Sequence, residues 1–177
     1  MPAPRAADTT SSLPKWNGAY KQRAVDALQH AANEHFSLYP FNGAAVTLTF
    51  RPSFNGFPLT EEIAEAAIRE FLKRLGRFAE RKIKGRRLKV IAIREGSTRS
   101  RSGMPRLHYH LKIEIPPGMD PENFASKMEQ YWTKLDWASR IQNSFEAESD
   151  AGWVSYILKS RSKPDYAYAI DWMNTQV

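Results

Sequence analysis

Apolar and polar residues follow the patterns of β-strands along three segments of the chain. Residues 45–50, AVTLTF, alternate as a half-buried strand does. Residues 88–95, LKVIAIRE, are apolar on both faces, which is typical of a central strand. Residues 107–115, LHYHLKIEI, alternate again, and this alternation places His108 and His110 on the same, polar face of the strand.

Other segments carry apolar residues at helical spacing and predict four helices. The first begins near Trp16 and ends before Pro40. The second begins at Thr60, a good N-cap residue, and the third begins at Asp120, which a proline follows directly. The fourth is expected over residues 150–163.

Two further segments complete the predicted sheet. Residues 144–148, SFEAE, are short enough for an edge strand, and residues 165–173 alternate in a way that predicts a final strand containing Tyr166 and Tyr168 as packed side chains. The order of elements predicts an α+β fold: a single antiparallel sheet of about five strands, with helices on one face and an open face for the functional site.

The composition limits the domain organisation. Residues 1–14 are rich in Pro, Ala, Ser and Thr, and we expect a disordered tail there, followed by one domain over residues 15–177. The 177-residue chain has no cysteine, which excludes disulfides and thiol nucleophiles. It has no apolar run of the roughly 18 residues that a membrane span needs, so we expect no membrane partner.

The charge distribution favours a polyanionic partner. The net charge is +7, and residues 69–89 contain ten basic residues against two acidic ones. A charge run of this kind is usually a solvated surface. Clustered Lys and Arg also bind phosphate backbones, because neutralising each phosphate releases counterions.

The predicted fourth helix displays a tyrosine away from its apolar side. At about 100° per residue, four apolar residues fall within the arc that must face the core: Trp153, Val154, Ile157 and Leu158. Tyr156 and Lys159 lie together on the opposite side. A surface tyrosine and lysine are common, so this pair indicates a site only in combination with other motifs.

Three short motifs combine in one order along the chain. VTLTF is an apolar strand with threonines, PRLHYHLKI contains the His-hydrophobe-His pair, and YILK has the pattern Tyr-x-x-Lys. In this order they resemble the three motifs of the HUH endonucleases, and among them those of the rolling-circle replication initiators, or Rep proteins. The resemblance covers roughly residues 45–168 and implies the ferredoxin-like or RRM-like sheet of the HUH fold.

The resemblance implies an enzyme, a metal-dependent DNA endonuclease and strand transferase with a single tyrosine. His108 and His110 would hold Mn²⁺ or Mg²⁺, with Glu95 as the third ligand and Glu114 as the alternative. Tyr156 would attack the scissile phosphate to form a covalent 5′-phosphotyrosine. Lys159 would stabilise the negative charge.

The resemblance also implies the partners. The substrate would be single-stranded or hairpin DNA in the cytoplasm of a bacterial host cell. The chain lacks the GxxxxGK[ST] phosphate loop of a helicase. Either it relies on a host helicase, with a host polymerase as a further partner, or it is a fragment of a longer protein. The residues expected to contact DNA are two threonines of the first motif and several basic residues: Thr47, Thr49, Arg51, Arg99, Arg101, Arg106 and Lys163.

Two alternatives stay open from the sequence. Small transposases and conjugative relaxases share the histidine pair and the tyrosine, so a single-tyrosine transposase or relaxase would keep the chemistry with another DNA target. A non-catalytic, RRM-like module that binds single-stranded nucleic acid would use the same sheet, basic residues and aromatic residues without cleavage.

Overall fold

The chain forms one α+β unit in the residues that the structure describes. This computed structural model describes residues 18–99, 104–150, 152–163 and 165–177, so the predicted tail and the start of the domain lie outside them. The elements, in chain order, are α1 (Gly18–Ser37), β1 (Gly43–Thr49), β2 (Ser53–Phe54), β3 (Phe57–Pro58), α2 (Glu61–Ile83), β4 (Val90–Glu95), β5 (His108–Glu114), α3 (Pro121–Trp132), β6 (Ser144–Glu146), α4 (Trp153–Ile157) and a 3-10 turn (Tyr166–Tyr168).

The main sheet has four antiparallel strands in the order β4-β5-β1-β6, and β2 and β3 form a small separate hairpin. The predicted fold class is confirmed, with four strands in the main sheet where about five were expected. β5 lies in the centre, between β4 and β1. This arrangement places the histidine-bearing strand where both neighbours can contribute side chains to its surface.

Helices α2 and α3 cover one face of the sheet and bury the larger core. Each begins as its sequence predicts: the Thr60 side chain accepts a hydrogen bond from the backbone N–H of Ile63, and Asp120 accepts one from Asn123. Trp132 at the end of α3 is fully buried and contacts the rings of Phe50 and Phe71 edge-on. The larger core is formed by side chains of β1, β4 and β5 together with those of α2 and α3.

The opposite face is not as open as the sequence suggested. Ile91 and Ile93 of β4 pack there against a second apolar cluster, which α1, α4 and the C-terminal segment supply. The physical reason is visible in the sequence of β4, since a strand that is apolar on both faces must be covered on both. The open part of this face lies instead beside β5 and β1.

The predicted final strand is wrong. Residues 166–168 form a 3-10 turn, in which the Asp165 side chain accepts a hydrogen bond from Ala167 N–H. Only isolated bridges join the segment after it to β4, at Ile170 and at Gln176. Tyr166 is buried, as expected, but Tyr168 is 70% exposed and does not pack.

Helix α4 is also much shorter than residues 150–163, because it spans only Trp153–Ile157. Its orientation is nevertheless the predicted one: Ile157 and Leu158 are fully buried, and Tyr156 is exposed on the other side. No helix among the described residues is long and apolar enough to cross a membrane.

Candidate active site

Strand register brings a carboxylate beside the two histidines. In the β4–β5 pair, Glu95 lies opposite His108, and Ile93 lies opposite His110. Directly paired residues share a face, so Glu95 faces the histidines. One potential ligand atom from each of the three residues lies within 4.8 Å of the other two. The sequence-predicted ligand set is therefore brought together in one cluster.

Glu114, the alternative ligand, is not part of this cluster. It lies at the far end of β5, where its two carboxylate oxygens accept hydrogen bonds from the guanidinium of Arg86. The backbone N–H of Lys89 donates a further hydrogen bond to it. The Glu114 carboxylate therefore stabilises the fold at this end of β5 and is not available to a cation at the histidines.

Hydrogen bonds orient both imidazole rings. Nδ1 of His108 lies 2.8 Å from the carbonyl oxygen of Arg106, which only accepts, so Nδ1 carries the proton and Nε2 is left with a lone pair. Nδ1 of His110 lies 3.0 Å from Oγ1 of Thr47. Burial, the largest effect, lowers the pKa of His108 and favours the neutral ring that binds metals.

The two Nε2 atoms lie 3.2 Å apart. Two nitrogen ligands held at about 2.1 Å from one ion, at angles of roughly 90° to 110°, are themselves about 3.0–3.4 Å apart. The donor set of two imidazoles and one carboxylate, with both Nδ1 atoms engaged by other groups, is therefore fitted to a divalent cation.

Three cationic or potentially cationic groups surround the Glu95 carboxylate. Oε2 lies 3.4 Å from Nζ of Lys163, 3.6 Å from Nε2 of His110 and 3.8 Å from Nζ of Lys159. Burial acts to raise the pKa of Glu95, but the hydrogen bond with His110 and the two lysine charges outweigh it and lower the pKa to about 2. Glu95 is therefore a carboxylate at any physiological pH.

Tyr156 lies beside this cluster and is half exposed. Its ring centroid is 5.9 Å from that of His110, and its ring stacks on Trp153 at 5.4 Å. The Trp153 indole is itself fixed by a hydrogen bond to the carbonyl oxygen of Leu111 in β5. Nζ of Lys159 sits 3.7 Å from the centre of the tyrosine ring. The structure thus brings the tyrosine and lysine of the third motif to the histidines of the second.

The comparison with protein families agrees with this arrangement. A family model described as replication-associated protein ORF2/G2P matches residues 43–164. The chain belongs to this family. The matched region contains the whole histidine, glutamate and tyrosine cluster, and it confirms the resemblance to replication initiators that the sequence motifs indicated. No match was found among curated proteins or among solved structures.

A cleft of about 1150 Å³ opens next to the histidines of this replication-associated domain, and His108 forms part of its wall. It is larger than the roughly 300–1,000 Å³ of a small-molecule site. Four of the residues expected to contact DNA line it: Thr47, Thr49, Arg51 and Arg106. Arg99 is exposed outside the lining, and Arg101 lies outside the described residues.

Three of the expected DNA contacts have other contacts in the structure. The side chain of Lys163 is buried, and Nζ lies against Glu95 and donates a hydrogen bond to the carbonyl oxygen of Lys159. It is not positioned to reach a DNA backbone. Thr49 donates its hydroxyl proton to Ile141 and lies near Asn143, and Thr47 contacts His110.

Sequence reasoning missed two residues of the site. Arg140 lines the cleft but comes from the irregular segment before β6. Gly96 follows Glu95 with φ +87°, and a Cβ atom there would lie 2.6 Å from the carbonyl oxygen of Pro105 and closer still to that of Arg106. Only glycine permits this approach of the two loop ends. A lone glycine after a strand was the available signal.

Proposed function

We propose that the protein is a sequence-specific endonuclease that nicks and rejoins single-stranded DNA to initiate rolling-circle replication. The observation that carries this proposal is the position of Tyr156, half exposed with its ring 5.9 Å from the ring of His110. Membership in a replication-associated family supports DNA as the substrate.

Glu95, His108 and His110 would hold the divalent cation. Mixed oxygen and nitrogen ligands suit Mn²⁺, and also Mg²⁺ when water completes the coordination. The cation, when bound, supplies a Lewis acid that polarises the scissile phosphate. The protein contributes the orientation: Thr47 and the Arg106 carbonyl hold the rings, and Lys163 holds the carboxylate.

Tyr156 would be the nucleophile in this reaction. Its phenolic oxygen forms a bond to phosphorus while the bond from phosphorus to the 3′ oxygen breaks. The phenol loses one proton and the departing 3′ oxygen takes one up, so the products are a 5′-phosphotyrosine and a free 3′-hydroxyl. Lys159, over the tyrosine ring, would stabilise the negative charge of the transition state. The reverse reaction rejoins the strand.

The cleft beside His108 would hold the DNA next to the scissile phosphate. Arg51, Arg106 and Arg140 supply positive charge along it. A single strand or a hairpin loop fits this proposal best, because unpaired bases and an exposed phosphate can enter a cleft in a way that a closed duplex cannot. The 3′-hydroxyl would then prime a host polymerase, with a host helicase to unwind the duplex.

The test is covalent capture. The protein is incubated with labelled single-stranded oligonucleotides tiled across the replicon that encodes it, with Mn²⁺, and resolved on a denaturing gel. We expect an adduct that is lost in Tyr156→Phe, in the His108→Ala, His110→Ala double variant and with EDTA. Tyr168→Phe is the matched control, because Tyr168 is also exposed but lies outside the cluster. An undiminished adduct in Tyr156→Phe would refute the assignment, and binding without any adduct would favour the non-catalytic alternative.

A further inference from the structure

A second cavity, of about 520 Å³, lies away from the histidine cluster. The second half of α2, the start of β4 and the C-terminal segment enclose it. Val90, at one end of β4, lines this cavity, whereas Glu95, at the other end, belongs to the histidine cluster. Five residues of strand separate the two by roughly 17 Å. The cavity therefore cannot be part of the nicking site.

The rim of the cavity is basic and its floor is apolar. Arg69, Lys73 and Arg77 recur every fourth residue along one face of α2, and all three are exposed. Like charges at this spacing repel one another, which destabilises a helix. In the part of the chain that the structure describes, none of the three forms an ion pair. The remaining charged and apolar lining residues are Glu80, Arg86, Arg87, Leu72, Ile83, Leu88, Val90 and Met173.

Gly76 lies on the same wall, in the interior of α2. Glycine weakens a helix interior relative to alanine, so its presence there calls for a physical reason. Packing within the chain gives none, because a Cβ atom at Gly76 would meet nothing within 4 Å. The absent side chain instead enlarges the cavity between the basic residues. A ligand bound in the cavity would account for both observations, because it would occupy the space beside Gly76 and pair with the basic side chains.

We propose that this cavity is a second, metal-independent DNA-binding site that grips the phosphate backbone away from the nicked phosphate. Basic groups on successive helical turns, about 6 Å apart along the axis of α2, form a rigid row that matches a linear polyanion. Arg87 extends the positive charge across the cavity, whereas Arg86, beside it, is paired with Glu114. The inference rests on the proposed function only in taking DNA as the polyanion.

The experiment measures DNA binding without cleavage. Fluorescence anisotropy is recorded with a labelled duplex and with a labelled single strand, in EDTA and in a Tyr156→Phe background. The triple variant Arg69→Ala, Lys73→Ala, Arg77→Ala should bind at least one of the two about tenfold more weakly, and the slope of log K against log salt should fall by about two to three. Whether the affinity for the duplex or for the single strand falls identifies which form of DNA the cavity binds.

The matched control is Lys21→Ala, Arg23→Ala, Lys134→Ala, which removes the same charge from exposed positions elsewhere. A similar loss of affinity in both triple variants, or no loss in the first, would overturn the proposal. Gly76→Glu should also weaken binding while Gly76→Ala keeps the melting temperature unchanged or raises it. Wild-type affinity in Gly76→Glu would overturn the proposal as well.

The two proposals fail separately. A short single strand that covers only the nick should still form the Tyr156 adduct in the first triple variant, since it is too short to reach the cavity. If the wild-type protein forms no adduct, the nicking mechanism is refuted and the anisotropy result still stands. Unchanged anisotropy would refute the second DNA site and leave the adduct standing.

Discussion

The ammonium group of Lys163 lies 3.4 Å from Oε2 of Glu95, and both side chains are buried. An unpaired buried carboxylate is costly, and Lys163 supplies the opposite charge from a position fixed by the Lys159 carbonyl oxygen. The ammonium and a divalent cation would therefore compete for the same carboxylate. Lys163 holds Glu95 towards the histidines while no cation is bound.

We expect Lys163→Met to destabilise the metal-free protein and to increase its response to metal. The cost should be about 2–3 kcal/mol, below the ~3–5 kcal/mol of a fully broken buried pair, because His110 and Lys159 remain near the carboxylate. Mn²⁺ should recover more stability in the variant than in wild type, which urea denaturation with and without Mn²⁺ measures. Lys134→Met, at an exposed position, is the control. Equal Mn²⁺ responses would contradict the competition.

The contact between Thr47 and His110 gives a second test. Replacing a residue that orients a metal-bound histidine typically weakens metal binding by 10- to 100-fold. We expect a loss of about this size in Thr47→Val, measured by calorimetric titration with Mn²⁺. Thr49→Val is the matched control, because Thr49 lies two residues along the same strand and bonds to the loop at Ile141 rather than to a histidine. Equal losses of Mn²⁺ affinity in the two variants would mean that any threonine substitution in β1 disturbs the site, and that the contact with His110 has no specific role.

The strands that carry the site could be predicted because alternation of side chains is a local property. The period of two along β5 fixes His108 and His110 on one face whatever the partner strand is. The helical period likewise places Tyr156 and Ile157 on opposite sides of α4, although this helix has only five residues. The cluster follows from these faces once β4 and β5 pair.

The rest of the site depends on contacts between segments that are distant in the sequence. The pattern of apolar and polar residues within one segment does not predict such contacts. Thr47 reaches His110 because β1 pairs with β5 in one particular register. Lys163 is buried because α4 ends at Ile157 and the chain then turns back towards Gly96, whose N–H donates to the carbonyl oxygen of Ser162. The alternation around Tyr168 predicted a strand, but Asp165 caps a 3-10 turn there instead.

A buried hydrogen bond ties the C-terminal segment to the central strand. The hydroxyl of Tyr109 donates to Oδ2 of Asp171, which is almost fully buried. Burial raises the pKa of Tyr109, so its proton is retained. We expect Tyr109→Phe to lower the free energy of unfolding by about 1–3 kcal/mol, because the carboxylate loses a donor. Urea denaturation measures this, and Tyr168→Phe, at an exposed ring, should change stability little. A neutral Tyr109→Phe would mean that Asn174 alone satisfies the carboxylate.

The Arg86–Glu114 pair makes stability depend on pH in the acidic range. Burial acts to raise the pKa of Glu114, but hydrogen bonds from Arg86 and from the Lys89 backbone lower it below its ordinary value of 4.5. A carboxyl group with a lowered pKa in the folded state contributes stability that is complete above the unfolded pKa and is lost as the pH falls.

We therefore expect Glu114→Gln to cost about 1–2 kcal/mol at neutral pH, a modest value because half of the Arg86 side chain is exposed and water screens the charge. The difference from wild type should shrink as the pH falls below 4.5, where the unfolded chain binds the proton first, and should be lost once the pH falls through the lowered pKa of the folded carboxyl group. Urea denaturation at a series of pH values measures both effects. Glu129→Gln, on the exposed side of α3, should cost little at any pH. A Glu114→Gln deficit that stays constant down to low pH would show that side-chain shape, rather than charge, stabilises this end of β5.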